Sequence, residues 1–248
     1  MAAQPPYPLL REVGLSGLLV TFSDSLTDAA NRANLAFRAA IEAEGIAGVV
    51  ETSSALASTL LSYDPIRLPL AELRAVVTER LASRDWFAAA LPQGRRFWRI
   101  PVAFGGEHGP QLAEAAALAG LTEGKAVAEI AATRLRVMAL GFAPGLPYLG
   151  TMPDHWNMPR QDGLTAQVPA GSVVTAIRQF NIFTNATPTG WRLIGQSAFR
   201  NFRPELADPF AFRPGDEVSF VPIGAGELAD IRAGDRAAAG GALCEAIP

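Results

Sequence analysis

Two residue types that build many active sites are almost missing from this chain of 248 residues, which has one cysteine, Cys244, and two histidines, His108 and His155. A single cysteine closes no internal disulfide. Without a His, Cys or acidic cluster at metal-ligand spacing, no metal site is expected. No Gly-x-Ser-x-Gly elbow is present, which argues against an α/β-hydrolase nucleophile, and no Gly-x-Gly-x-x-Gly follows a strand. Gly120-Leu-Thr-Glu-Gly124-Lys125 is one residue short of a phosphate loop and is followed by alanine. A charge excess is lacking too. Lys+Arg 21 against Asp+Glu 24 gives a net charge of -3, so there is no basic field for nucleic acid and no polybasic membrane anchor. No stretch nears the ~20 uninterrupted apolar residues of a membrane span, and the run before Gly141 is broken by Arg134 and Arg136. MAAQPPYPLLREVG has no charged segment leading into an apolar run, so a secretory leader is not expected. A cytoplasmic protein is expected, with no nucleic-acid or membrane partner.

What is present suits a globular chain: 49% hydrophobic and 18% charged residues, enough for a real core. The N-terminal third reads as β-α-β-β-α-β. Leu15 to Phe22 is a short apolar strand. From Leu26 the residues Ala29, Ala30, Ala33, Phe37, Ala40 and Ile41 share one helical face, and Gly45 stops the helix. Extended runs follow at Ile46–Thr52 and Leu56–Tyr63. Pro69 opens a helix with Leu70, Leu73, Val77 and Leu81 on one stripe, and Arg95–Phe104 reads as the last strand. This order matches a ferredoxin-like domain over residues 1–104. Residues 105–132 read as a connector of two alanine-rich helices. A DNA-reading helix-turn-helix is disfavoured there, because Lys125 is the second helix's only base against Glu123 and Glu129. Over 133–223 short apolar runs alternate with Gly/Pro turns, which predicts a β-barrel or sandwich. The tail, 224–248, is expected to be partly disordered or a short docking helix.

Three segments stand out. Gly141-Phe-Ala-Pro-Gly-Leu-Pro-Tyr-Leu-Gly150 combines fixed and permissive backbone, as a rigid ligand wall or a barrel corner would. Val168-Pro-Ala-Gly-Ser172 is either an anion-binding turn or a plain tight turn. Thr187-Pro-Thr-Gly-Trp191 presents an indole that suits the core better than a pocket wall.

Taken together with Pro159-Arg160, Pro188–Gly195, Arg213-Pro-Gly-Asp216 and Phe220-Val-Pro-Ile223, these segments resemble the 5-oxoprolinase B-subunit family, also called allophanate hydrolase subunit 1. Tyr63-Asp64-Pro65 and Ile100-Pro101-Val102 extend the resemblance to roughly residues 8–223. It implies an α+β protein, a ferredoxin-like domain followed by a cyclophilin-like β-barrel. It further implies a heteromer with the homologous C-type subunit, allophanate hydrolase subunit 2. The resemblance also implies an ATP-dependent amidase complex that opens 5-oxoproline to glutamate or acts on a related cyclic or urea-like amide. ATP, with Mg, is then a co-substrate of the complex. The candidate substrate-binding residues are Gly141, Phe142, Pro144, Gly145, Tyr148, Arg160, Pro169, Gly171, Ser172, Gln179, Thr187 and Trp191, with no catalytic residue assigned. The chain departs from the family pattern at Ile177-Arg-Gln-Phe-Asn-Ile-Phe-Thr184, where the family has Gly-Gly-Gln-Thr-Gly-x-Tyr-Pro, and at Thr189, Ile130 and Leu135. One branch of the family is named as an inhibitor of a sporulation histidine kinase, so a non-enzymatic regulator is the alternative. A prolyl isomerase is suggested by the barrel alone, and fold does not confer that activity.

Overall fold

The computed structural model describes residues 7–235 and 239–247. The chain divides into two units, residues 1–93 and 94–248.

The first unit contains β1 (Leu9–Val13), β2 (Gly17–Thr21), α1 (Asp28–Glu44), β3 (Val49–Ser54), β4 (Ser58–Tyr63) and α2 (Leu70–Ala82). Its sheet runs β1-β2-β4-β3, antiparallel throughout. The Thr27 hydroxyl caps α1 by accepting from the Ala30 N–H at 3.1 Å. Phe37 and Ile41 bury the expected apolar face of α1 against Leu18, Val20 and Leu61. That face is not wholly apolar. Buried Asn31 and Asn34 donate to the Leu56 and Ala55 carbonyls at 2.7 and 2.8 Å. These two bonds tie α1 to the β3–β4 turn. The order observed is therefore β-β-α-β-β-α, not β-α-β-β-α-β. An unforeseen strand comes first, and the strand expected last lies in the second unit.

That strand is β5 (Arg96–Phe104). It is followed by α3 (Leu112–Leu118), α4 (Glu123–Ala132), β6 (Leu135–Leu140), β7 (Pro147–Gly150), β8 (Thr165–Val168), β9 (Ser172–Ala176), β10 (Gln179–Ile182), β11 (Thr187–Thr189), β12 (Arg192–Gln196), β13 (Glu217–Ile223), α5 (Ala225–Gly234) and β14 (Leu243–Ala246). Seven strands close a barrel in the order β12-β9-β10-β7-β6-β13-β5, and β5 pairs back onto β12. The β5–β13 pair is parallel, with Phe97 opposite Glu217 and Ala103 opposite Ile223. Two strands so far apart in sequence cannot be matched from local pattern, which is why sequence alone extends the first domain to 104. The interior is filled by Ile100, Val137, Leu149, Phe180, Ile194 and Phe220. Leu112, Ala115, Ala116, Ala126 and Ile130 of α3 and α4 join the same cluster, so both helices pack one face into the barrel unit's core. In the tail, α5 is helical and β14 adds to β5, while residues 236–238 and 248 lie outside the described residues.

Closure converges on Asp216, whose side chain is almost fully buried. Its carboxylate accepts from the Arg96 N–H at 2.9 Å, the Arg96 guanidinium at 2.6 Å, the Trp98 indole at 3.3 Å and the Arg213 N–H at 3.0 Å. Its own carbonyl accepts from Val137 at 2.8 Å. Removing one member of such a buried pair strands the other. Asp216→Ala is expected to cost about 3–5 kcal/mol in denaturant unfolding, whereas Glu245→Ala, which breaks the exposed Arg99–Glu245 pair, should cost about 0–1 kcal/mol. Equal losses in the two variants would show that the carboxylate does not govern closure.

Candidate functional site

Strands β9 and β10 are buried on both faces. By the two-residue period of a strand, Val173, Phe180 and Ile182 enter the barrel core, while Val174, Ala176 and Phe183 point the other way. On that outer side they meet Leu146, Val168 and Trp191 in a second apolar cluster. A cavity of about 350 Å³ opens beside it. Leu146, Tyr148, Phe183 and Trp191 form its walls, and Phe142, Leu164 and Pro188 its rim. Phe142 is 81% exposed and Leu164 70%. The polar lining is Arg160, Gln161, Asn181 and Thr189.

Arg160 is the one charged residue among those lining this cavity. Its guanidinium carbon lies 5.6 Å from the centre of the Trp191 ring, and Tyr148 meets that indole edge-on at 6.2 Å. A cation on an indole face is held in place while its donors stay free for an anion. With its amide oriented to satisfy its neighbours, Asn181 turns its nitrogen toward the carbonyls of Phe180, at 3.1 Å, and Pro147. The Thr189 hydroxyl accepts from the Trp191 N–H at 3.0 Å, which fixes the turn that presents the indole.

Of the residues proposed from sequence, the cavity brings together Phe142, Tyr148, Arg160 and Trp191. Gly141 and Pro144 sit in the same β6–β7 loop but do not line it. Gly145, at φ 71°, is a packing wedge: a Cβ there would meet Phe202 at 3.0 Å. Thr187 pairs with Val168 in the β8–β11 ribbon, and Pro169 is exposed, outside the cavity. In the Val168–Ser172 turn two amides are already engaged, Gly171 donating to the Phe183 carbonyl at 2.7 Å and Ser172 to Pro169 at 3.2 Å. Ser172 and Gln179 are buried, and the Ser172 hydroxyl and the Gln179 Nε2 find no hydrogen-bond partner among the described residues. Sequence reasoning missed Gln161, Leu164, Asn181 and Phe183, whereas Leu146 and the Pro188–Gly190 turn lie inside the segments Gly141–Gly150 and Thr187–Trp191 that it singled out. For Asn181 and Phe183 a signal existed, since they share one strand face with Gln179.

Other reactive groups lie elsewhere. Neither histidine lines the cavity; His155 pairs with Glu129 at 2.8 Å. Cys244 is on β14, where desolvation pushes its thiol pKa up, away from the nucleophilic thiolate. Among the described residues no group of three His, Cys, Asp or Glu could hold a metal, and no helix is long and apolar enough to cross a membrane. A larger hollow on the first unit, between α1 and β3, is lined by Arg38, Glu42 and Thr52, which hydrogen-bond one another.

Residues 8–212 match the family described as carboxyltransferase domain, subdomain C and D. The B subunit of 5-oxoprolinase from Bacillus subtilis is 33% identical over 224 residues, covering 86% of this chain and 92% of that protein. The chain belongs to the 5-oxoprolinase B-subunit family. The Escherichia coli O157:H7 protein of the same name is 44% identical over 133 residues, 54% of this chain and 61% of its own length. The crystal structure of TTHA0988 superposes with a TM-score of 0.70 at 31% identity, over 87% of this chain and 40% of that one. The match thus spans about three fifths of the Escherichia coli relative and two fifths of TTHA0988.

The departure from the 5-oxoprolinase B-subunit pattern at Ile177-Arg178 has a definite place in the fold. These two residues form the β9–β10 turn, between paired Ala176 and Gln179, at φ 46° and 63°. Such a two-residue turn needs positive φ at both positions, which a glycine pair adopts without cost. The turn is away from the cavity lining and is tied to the Met158 and Trp156 carbonyls at 2.8 and 3.1 Å. Glycine there serves hairpin geometry. Ile177→Asn should therefore stabilise the protein by about 1 kcal/mol, raising the melting temperature by roughly 2–4 °C; a lower melting temperature would show the turn to be unstrained. Gly171→Ala should do the opposite. At φ 81° its Cβ would stand 2.2 Å from the Ser197 carbonyl oxygen, so a fall of more than about 2 kcal/mol is expected in the same assay.

Proposed function

We propose that this chain is a subunit of an ATP-dependent amidase complex that opens 5-oxoproline to glutamate, or acts on a related cyclic or urea-like amide, and that the Arg160 cavity takes the amide. The observation that carries this reading is one stacked cation in a small, largely apolar pocket. 5-Oxoproline has the same two parts, a compact ring and a carboxylate. The guanidinium would hold the carboxylate by charge-assisted hydrogen bonds, Tyr148 and Trp191 would enclose the ring, and Asn181 lies within the same wall. Family membership supports the amidase class.

A lactam carbon is a poor electrophile. Transfer of the γ-phosphoryl group of ATP to the amide oxygen, with ADP leaving, activates it. A first water then adds to the carbon and the C–N bond breaks, its nitrogen taking the proton. A second water releases phosphate from the acyl phosphate. ATP, with Mg, is a co-substrate. The cavity suits a single-ring ligand and leaves no room for a nucleotide beside it. Its lining holds no nucleophile–base pair, so this chain would bind and orient while the homologous C-type subunit completes the site. The regulator reading draws on Ile177-Arg178, and those residues lie outside the cavity lining.

The test is 5-oxoproline-dependent ATP hydrolysis by this chain alone and co-purified with its cognate C-type subunit. The isolated chain should be inert and the pair active. In the pair, Arg160→Ala should raise the KM for 5-oxoproline by about 10- to 100-fold, with the melting temperature unchanged. Turnover by the chain alone would overturn the shared site. An Arg160→Ala pair with wild-type KM would remove the cavity from the reaction, and a stable pair inert toward every amide would favour the regulator.

A further inference from the structure

We propose that Gln111 and Gln161 form a positioning relay through which the start of α3 sets Arg160 over Trp191; this rests on the reading of the Arg160 cavity as the amide site. The relay leaves the backbone beside the cavity and returns to it two residues away. The Leu193 N–H donates to Gln111 Oε1 at 2.8 Å, and the Gln111 N–H donates to the Leu193 carbonyl at 3.0 Å. A backbone N–H can only donate, so the Gln111 amide has one orientation, with Nε2 facing Gln161 Oε1 at 2.5 Å. Gln161 Nε2 then donates to the Trp191 carbonyl at 3.0 Å, and the Gln161 N–H to the Gly190 carbonyl at 2.7 Å. Both ends are backbone groups of fixed polarity, which leaves every amide between them a single consistent direction.

The residue bracketed by the two backbone ends is Arg192, which is buried and grips the other side of Arg160. It donates to the Pro159 carbonyl at 2.7 Å and to Glu114 at 2.8 Å. Both chain neighbours of Arg160 are thus fastened, Pro159 to Arg192 at the start of β12 and Gln161 to the two residues before it, and behind them stand Gln111, the N-cap of α3, and Glu114 of its first turn. Arg160 itself makes no ion pair or hydrogen bond among the described residues and has only the Trp191 face to rest on. A side chain as mobile as arginine can be held there without losing its donors only if its backbone is immobile. Gln111 and Gln161 are half-buried, where amide bonds gain strength from reduced solvent competition.

Gln111→Glu separates this role from simple packing. It keeps the acceptor for the Leu193 N–H but turns the second position from donor to acceptor. Gln161 must then rotate its amide toward Glu, which places its oxygen against the Trp191 carbonyl and breaks the relay. Gln161→Ala breaks it from the other side and, being outside every helix and strand, keeps the test readable if the first variant folds poorly. Two measurements on the full chain decide the matter: nitrogen-15 relaxation of the Arg160 Nε–H and Trp191 indole, and the KM for 5-oxoproline in the co-purified pair. Both variants should mobilise the Arg160 Nε–H and raise KM about tenfold while kcat stays within about twofold. Unchanged Arg160 and Trp191 signals in both variants would overturn the relay. Mobilised Arg160 with an unchanged KM would leave the relay standing and remove the reading of the cavity as the amide site.

Discussion

Asp216 sits where the approach to β13, the first residues of β5 and the backbone of β6 must agree, and its carboxylate and backbone carbonyl can accept from all three only if the barrel is closed. Its donors come from Arg96, Trp98 and Arg213, and its backbone bonds Val137. The parallel β5–β13 pair has no hairpin to set its register, so the register must come from side chains. A buried charge is suited to that task because a one-residue slip would leave it unpaired in a dry interior. Trp98, stacked edge-on with Phe199 and Phe212 at 5.6 and 5.5 Å, ties the same point into the core.

With closure fixed there, the opposite wall of the barrel is free to bury its outer face. Every residue of β9 and β10 is buried, which an ordinary barrel wall facing water would not require. The outward residues Val174, Ala176 and Phe183 meet Trp191 and Val168, and the cavity opens at the margin of that second cluster. Its walls are thus rigid strand and packed indole. The rim, Phe142, Leu164 and Pro188, stands in solvent together with Arg160.

Legibility in the sequence follows how local each feature is. The face of α1 and the start of α2 at Pro69 depend on residues a few positions apart, and local pattern suffices to place them, whereas the cap of α1 is Thr27 and not the Ser23-Asp24 pair that follows the preceding strand. Local pattern puts β5 in the wrong unit because its partner lies more than a hundred residues downstream. The motif segments point to the right wall but not to the right atoms. Gly145 and Gly171 look like ligand contacts and are close-approach points of the backbone, and Ile177-Arg178 looks like a lost ligand contact and is a hairpin turn. A glycine-rich motif marks where backbones must pass closely, and that need arises at turns as readily as at ligands. Gln111 carries no motif at all. Its importance depends on meeting Gln161, 50 residues away, and no local pattern encodes such a meeting.

The cavity's chemistry also explains why an arginine, in particular, stands at its edge. A lysine ammonium is compact and strongly hydrated and draws little from an indole face, so at position 160 it would point into water and meet a carboxylate as a single charge. The guanidinium is flat. It can lie on Trp191 and still turn its N–H edge toward the cavity, where the carboxylate of the proposed substrate would accept two parallel hydrogen bonds. That geometry fixes the orientation of an attached ring as well as its position, which a point charge cannot do. For the proposed reaction, in which one amide oxygen would be presented to a phosphoryl group, orientation is the contribution that a cavity lined by no nucleophile–base pair would make. A rigid barrel wall, a stacked cation and a backbone fastened on both sides are the physical means of making it.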